Sequence, residues 1–231
     1  IRDADEVVVV EGQMDVISVW QSGMENIVAS SGTALTEHQI KLMKRYTKNI
    51  AMAFDTDAAG LKAAKRGIGL ALEAGMRVRV IQIPEGVAKD PDECVKSAPD
   101  VWQESVRHAK DVLAWYIDLA LSQHDIQTPH GKQSIANDVL PEIARIPYAV
   151  ERDHWLGELA LKTGVDRSVL KEDLARITAD ASKKGSVATP ITSTPPRPST
   201  PVDTTLTRIV KEWLGLVLTY PEIKIGKMPV L

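Results

Sequence analysis

The sequence predicts an α/β protein: a mostly parallel sheet flanked by helices, followed by an all-helical segment. Three observations carry this. Val7 to Val10 is an unbroken β-branched run, the pattern of a strand buried on both faces. Short apolar runs recur through the first part of the chain with helical stretches between them, which implies crossover units. From about Ser97 onward the apolar residues recur only at helical spacing.

The elements follow in order. Asp15 to Gln21 reads as a short helix ended by Gly23, and Ile27 to Ser30 as a second strand. Thr36 to Tyr46 is amphipathic, with Ile40 and Met43 facing inward and Thr36 as N-cap. Ile50 to Phe54 is the third strand. Ala58 to Ala74 is a helix rich in Ala, Leu and Lys, with Gly75 as its C-cap. Val78 to Ile83 is the fourth strand, stopped by Pro84. Beyond it, Trp102, Val106, Ala109, Leu113, Ile117 and Leu121 trace one helical stripe. Further helices are expected at Lys132 to Ala144, with Pro141 a candidate kink, at Tyr148 to Lys162, and at Asp166 to Ile177 with Asp166 as N-cap. Ser, Thr, Ala and Pro dominate 178–205, the composition of a disordered or semi-extended linker. Apolar periodicity resumes from Leu206 to Thr219 as the first helix of a further domain. The expected division is therefore 1–97, 98–177, 178–205 and 206–231.

Composition narrows the function classes. The chain has 231 residues, a formal net charge of -3, 44% hydrophobic and 26% charged residues, an ordinary globular composition. Its one cysteine, Cys94, excludes an internal disulfide framework and any zinc site built from several cysteines within the chain. No apolar run approaches the roughly 20 residues of a membrane helix, so no membrane partner is expected. Ile1-Arg2-Asp3 has no signal-peptide character, and the chain is expected to be an internal piece of a longer protein. The slight negative charge argues against a generic basic nucleic-acid binder, but not against a nucleic-acid enzyme that gathers acids around metal ions.

Three acidic clusters follow strands. Glu11 comes directly after Val10, in Glu11-Gly12-Gln13-Met14-Asp15; Gly12 lets the chain turn sharply, and Asp15 is one helical turn on. Asp55-Thr56-Asp57-Ala58-Ala59-Gly60 follows the third strand, and two aspartates at i and i+2 on a turn suit a hard divalent cation. Lys89-Asp90-Pro91-Asp92-Glu93 follows the fourth. Each has a plainer reading as helix N-terminal decoration, an Asp-capped turn, or a solvated loop. Their conjunction at the ends of three strands of one sheet favours a cation site. Carboxylates within about 4 Å of one another repel by a few kcal/mol at an effective dielectric near 20, and two metal ions would suit phosphoryl transfer.

Glu-Gly-x-x-Asp after one strand and Asp-x-Asp-x-x-Gly after a later one resemble the Toprim domain. Together with Ala29-Ser30-Ser31-Gly32-Thr33-Ala34-Leu35-Thr36 and Lys89-Asp90-Pro91-Asp92-Glu93, they resemble in particular the bacterial DnaG-type DNA primases, specifically over about 5–97 and more weakly through Ile146-Pro147 and Arg152-Asp153-His154-Trp155-Leu156. Leu206 to Glu222 is similar to the start of that family's helicase-binding C-terminal domain. The resemblance implies a Toprim-type sheet followed by a helical subdomain of the primase core. It implies RNA primer synthesis on single-stranded DNA by two-metal nucleotidyl transfer, in the bacterial cytoplasm at the replisome. Glu11, Asp55 and Asp57 would be the catalytic metal-binding acids, Asp90 and Asp92 would complete the site, and Asp15, Gly12 and Gly60 would support it. Mg2+ or Mn2+ is the implied cofactor. Zinc is expected only in an N-terminal domain that this chain does not contain, as is the basic half of the core. The partners implied are a single-stranded DNA template, ribonucleoside triphosphates and a DnaB-type replicative helicase. Because the template-binding half is not here, the fragment alone is expected to be weak or inactive.

Other readings remain open at this point. The chain could belong to another Toprim enzyme, a nuclease or topoisomerase, or be a non-catalytic helicase-docking fragment. A response-regulator-like acidic pocket would lack the Glu-Gly-x-x-Asp motif. Lys44, Arg45 and Lys48 could touch template or be a solvated helix end, and Lys62 could steer a triphosphate or be ion-paired. Trp102, Trp115 and Trp155 read as packing residues, and Cys94 as a packing thiol.

Overall fold

The structure, a computed structural model, describes residues 1–31, 34–53 and 58–185; for 58–63 and 180–185 only the backbone is described. All of these lie in one unit, Ile1–Val187.

Four consecutive valines set the architecture. β1 (Val7–Val10) is buried at every position, so both of its faces need cover. The chain supplies it with α1 (Gln13–Gln21), β2 (Ile27–Ala29), α2 (Glu37–Lys44), β3 (Asn49–Met52), α3 (Ala58–Glu73), β4 (Arg77–Val80), α4 (Pro91–Ser97), α5 (Pro99–Arg107) and β5 (Lys110–Asp111). The sheet order is β2-β1-β3-β4-β5. The first four strands are parallel, and β5 pairs antiparallel to β4.

Side chains alternate across β1. Val8 and Val10 face a layer containing Val19 of α1, Cys94 of α4 and Trp102 of α5. Val7 and Val9 face Ile40 and Met43 of α2, Ile68 and Leu72 of α3, and the helices that come after β5. Those are α6 (Val112–Gln123), α7 (Pro129–Arg145), α8 (Ala149–Thr163) and α9 (Arg167–Gly185).

Local chemistry accounts for the helix ends. Thr36 caps α2 reciprocally with Gln39: the Gln39 N–H donates to Thr36 Oγ1 at 3.3 Å, and the Thr36 N–H to Gln39 Oε1 at 2.9 Å. Gly164 ends α8 in the left-handed region, at φ 64. Pro141 lies inside α7, as expected from its place in the pattern. At the amino-terminal edge of the sheet, Arg79 grips Glu6 through both carboxylate oxygens at 2.6 and 2.7 Å.

Two expectations need correction. The stripe from Trp102 to Leu121 is not one helix: α5 stops at Arg107, β5 adds an edge strand, and α6 begins anew behind the Asp111 cap, which accepts the Leu113 N–H at 2.8 Å. Trp102 is 1% exposed and packs under the sheet with Val8 and Val10, so α4 and α5 belong physically to the sheet, and the all-helical part starts at α6. Secondly, α9 continues to Gly185, past the Ile177 end that the periodicity suggests. The remaining residues expected to form a linker and a new domain, 186–231, lie outside the described residues.

This packing predicts unequal roles for the tryptophans. Trp102→Ala is expected to lower unfolding free energy by about 3–5 kcal/mol in urea denaturation, as for a fully buried aromatic. Trp155→Ala, at a half-buried position on α8, should cost clearly less. Equal costs would contradict the assignment of α5 to the sheet's core.

Candidate functional site

Parallel strands send all their following loops to one edge, and here that edge is acidic. β1 delivers Glu11, half-buried, directly into the turn before α1. The next strand, β3, lies beside β1 with Val9 opposite Met52, and Ala53 N–H still donates to the Val9 carbonyl at 2.9 Å. Asp55 and Asp57, two and four residues further on, lie outside the described residues. Gly60 is in the first turn of α3 and Lys62 just beyond it, both by backbone only. From the β2 side, Ser30 N–H donates to the Val10 carbonyl and Ser31 N–H to the Glu11 carbonyl, at 2.9 and 3.1 Å.

The third acidic segment is brought in by a clamp. Asp15 is 8% exposed, and both its oxygens accept backbone N–H groups. Oδ2 takes Gly12 N–H at 3.0 Å, closing the first turn of α1, and Oδ1 takes Asp92 N–H at 3.1 Å, holding the first turn of α4. Gly12 is needed for this closeness: a Cβ there would stand 2.9 Å from Asp15 Oδ2. Burial pushes the Asp15 carboxyl above its ordinary range, against the pull of its two N–H donors. Asp15 is therefore placed as a strut between α1 and α4.

Asp90 and Asp92 differ in their commitments. Asp90 is the N-cap of α4, its Oδ1 accepting Glu93 N–H at 2.8 Å. The Asp92 carboxylate is 2.7 Å from Lys96 Nζ and also accepts the Ser18 hydroxyl. Lys96 first, then Ser18, holds the Asp92 carboxyl below its ordinary value. Neither partner is singled out by the sequence motifs. Both leave a helical signal, since Lys96 is four residues after Asp92 and Ser18 three after Asp15. Among the described residues, no group of three or more His, Cys, Asp and Glu side chains converges as a metal site.

The basic candidates fall elsewhere. Lys44 ends α2, Arg45 is its C-cap, and Lys48 precedes β3, so all three sit at the amino-terminal edge of the sheet. Glu11 is at the opposite edge, a strand length away, roughly 13 Å at about 3.3 Å per residue. Lys44 Nζ donates to the Ala74 carbonyl at 2.5 Å, tying α2 to the end of α3. These cations cannot line the acidic edge. Trp102 and Trp115 are buried and Cys94 lies in the core, as their packing roles require.

Comparison with known proteins agrees with this geometry. Residues 8–95 match the Toprim-like family model, and residues 113–168 match the model described as the DnaB-helicase binding domain of primase. The second match falls on α6–α8 and not on 206–231, where the sequence pattern suggests such a module. The DNA primase of Clostridium acetobutylicum is 34% identical over 182 residues, 78% of this chain and 30% of that protein. That of Pseudomonas aeruginosa is 37% identical over 151 residues, 63% of this chain and 22% of that protein. A crystal structure of a DNA primase domain from Pseudomonas aeruginosa superposes with a TM-score of 0.65 at 33% identity, covering 77% of this chain and 55% of that one. The DnaG catalytic core gives 0.61 at 32%, covering 72% and 54%. The chain thus spans about a third of the length of the first of these curated relatives and about half of the solved catalytic domains. Sequence and fold agree over the sheet and the helices that come after it, and the chain belongs to the family of bacterial DnaG-type DNA primases.

Proposed function

We propose that the whole protein makes RNA primers on a single-stranded DNA template and that this chain supplies the metal-binding edge. In that reaction the primer 3′-oxygen bonds to the α-phosphorus of a ribonucleoside triphosphate, the bond to the β-phosphate oxygen breaks, pyrophosphate leaves, and the hydroxyl proton passes to solvent. The observation that carries the reading is the Asp15 clamp: it joins the turn after Glu11 to the turn holding Asp90 and Asp92, on the edge that β3 enters beside β1.

The donor set is all oxygen, which suits Mg2+ or Mn2+. Glu11, Asp55 and Asp57 would hold the cation, with Asp90 and Asp92 completing the site. A divalent ion there would draw charge from the triphosphate and orient the reacting oxygens. Asp15 is a poor ligand, because both its oxygens already serve backbone donors. Its part is to fix α1 against α4, and Gly12 allows it to. Lys96 keeps Asp92 ionised and moderates the repulsion among the acids.

The helicase contact has its own support, the family match over α6–α8, and we assign the docking of a DnaB-type helicase to those helices first. Residues 206–231 remain a second candidate. None of the helices among the described residues is long and apolar enough to cross a membrane. Replication at the bacterial nucleoid is the setting the reading implies.

Three outcomes are expected. In a Mn2+ titration followed by calorimetry or paramagnetic resonance, the chain binds saturably, Asp55→Asn/Asp57→Asn abolishes binding, and Glu11→Gln weakens it at least tenfold, about 1.4 kcal/mol. Absence of binding in the unaltered chain would remove the metal site from this chain. Template-directed ribonucleotide incorporation by the chain alone should stay near background, because the solved domains it matches contain about as much again. Finally, Asp15→Asn puts an amide N–H₂ against one of the two N–H donors and should cost about 1–3 kcal/mol. A carboxyl raised in the fold is more protonated there than in the unfolded chain, so its favourable share is full below pH 3.8 and fades as pH rises through the raised value. The stability advantage of Asp15 over Asn should accordingly shrink as pH rises from below 3.8, read by urea melts across pH. A growing advantage would contradict the burial argument.

A further inference from the structure

The amino-terminal edge of the sheet, opposite the acids, holds a concentration of positive charge. A shallow groove of about 380 Å³ is lined by Lys44, Arg45, Tyr46, Lys48 and Arg77, with Asp5 in its wall. It is assembled from the end of α2, the turn into β3 and the first residue of β4. The chain as a whole carries -3, so four cations against one carboxylate is a local reversal of sign.

The partners of these groups are informative. Asp5 is committed to the turn: its Oδ1 accepts the Thr47 hydroxyl at 3.0 Å and its Oδ2 the Asn49 amide at 3.2 Å. Lys44 is tied to the Ala74 carbonyl but keeps its charge. Arg45, Lys48 and Arg77 make no ion pair among the described residues, although the same surface pairs Arg79 with Glu6. The Arg2 guanidinium lies 5.1 Å from the centre of the Tyr46 ring, adding a fifth cation, and Tyr46 is 43% exposed. Unpaired cations around an aromatic ring are the chemistry that holds single strands: the charges follow the phosphates and the ring offers a face to a base.

We infer that this groove is a second nucleic-acid contact, binding the sugar-phosphate backbone of a single strand without reading its sequence. It rests on the proposed primer synthesis only for the choice of polyanion. At roughly 13 Å from the acidic edge, a strand length at about 3.3 Å per residue, it restrains the strand entering or leaving and does not position the reacting end. The topology put these residues there in plain view: Lys44 to Lys48 precede a parallel strand and Arg77 begins the next.

The test is fluorescence anisotropy of a labelled oligothymidylate with the full 231-residue chain over a salt series. The groove variant is Arg45→Gln/Lys48→Gln/Arg77→Gln, three exposed positions. The control, Arg107→Gln/Lys171→Gln/Arg176→Gln, removes the same charge from the α5 and α9 surfaces. The groove variant should lose tenfold or more in affinity, and its log–log salt slope should fall by about 2, at about 0.7 per phosphate contact on a single strand. The control should stay within about twofold, with thermal melts confirming that both variants are folded. Equal losses in the two variants, an unchanged groove variant, or no binding by the unaltered chain would overturn the inference. So would displacement of the oligonucleotide by polyglutamate at equal charge concentration, which would mark the groove as a site for an acidic protein. The Mn2+ titration separates this result from the metal reading: the groove variant should bind Mn2+ as the unaltered chain does, and loss of metal binding with retained strand binding would sink the catalytic reading alone.

Discussion

Burial of β1 on both faces is the constraint on which the other elements depend. Val7 and Val9 cannot share cover with Val8 and Val10, because a strand turns successive side chains to opposite sides. Each layer must then come from helices, and helices between parallel strands require crossovers, all closing in the same sense. Every loop after a parallel strand therefore emerges at one edge. α1 and α4 begin there, and their amino-terminal dipole ends lie beside Glu11, Asp90 and Asp92. The sheet gathers the carboxylates, and the helix ends make the gathering tolerable. In the proposed function a divalent cation would offset the remainder of the repulsion.

Within that edge, Asp15 turns a set of neighbouring loops into a fixed site. Its two oxygens bridge Gly12 and Asp92, which are far apart in sequence and belong to different helices. A carboxylate used this way is shielded from solvent at a cost in desolvation, visible as a raised pKa. The Ser18 hydroxyl and Lys96 add a second connection through the Asp92 side chain. The acid motif after β1 thus contains two kinds of acid. Glu11 stands at the strand end, where the proposed function would use it as a metal-binding acid, whereas Asp15 uses its oxygens to hold the scaffold.

Legibility in the sequence divides along the same physical line. β1, β3 and the amphipathic α2 were legible because hydrophobic period is a local property, and Thr36 and Gly164 because caps are local too. β5 was not. Lys110 and Asp111 have no apolar pattern and become a strand only by pairing with β4. The false continuity from Trp102 to Leu121 has the same origin: two helices can stay in phase across a short break while facing different layers. At the site, acids at strand ends were visible as a pattern. The bond from Asp15 to the Asp92 N–H was not, since nothing near either residue announces a partner in another helix. The separation of Lys44, Arg45 and Lys48 from the acids could have been deduced. They precede β3, and in a parallel sheet the residues before a strand lie at the opposite edge from those after it.

That separation has an electrostatic consequence that net charge conceals. A chain of -3 looks neutral to a distant polyanion, yet it presents cations at one edge and carboxylates at the other. Surface charges are screened beyond about 8–10 Å at ordinary ionic strength, so a strand approaching either edge feels mainly that edge. At the amino-terminal edge a phosphate chain is attracted with no ion required. At the carboxyl edge, under the proposed function, it would be repelled until a divalent cation is in place. Binding of a strand and admission of phosphates to the acids are then controlled by different variables, monovalent salt for the first and divalent metal for the second. Under the proposed function, an enzyme that holds a strand through many additions, and reacts only when metal and nucleotide are present, would gain from keeping those two controls on opposite edges of one sheet.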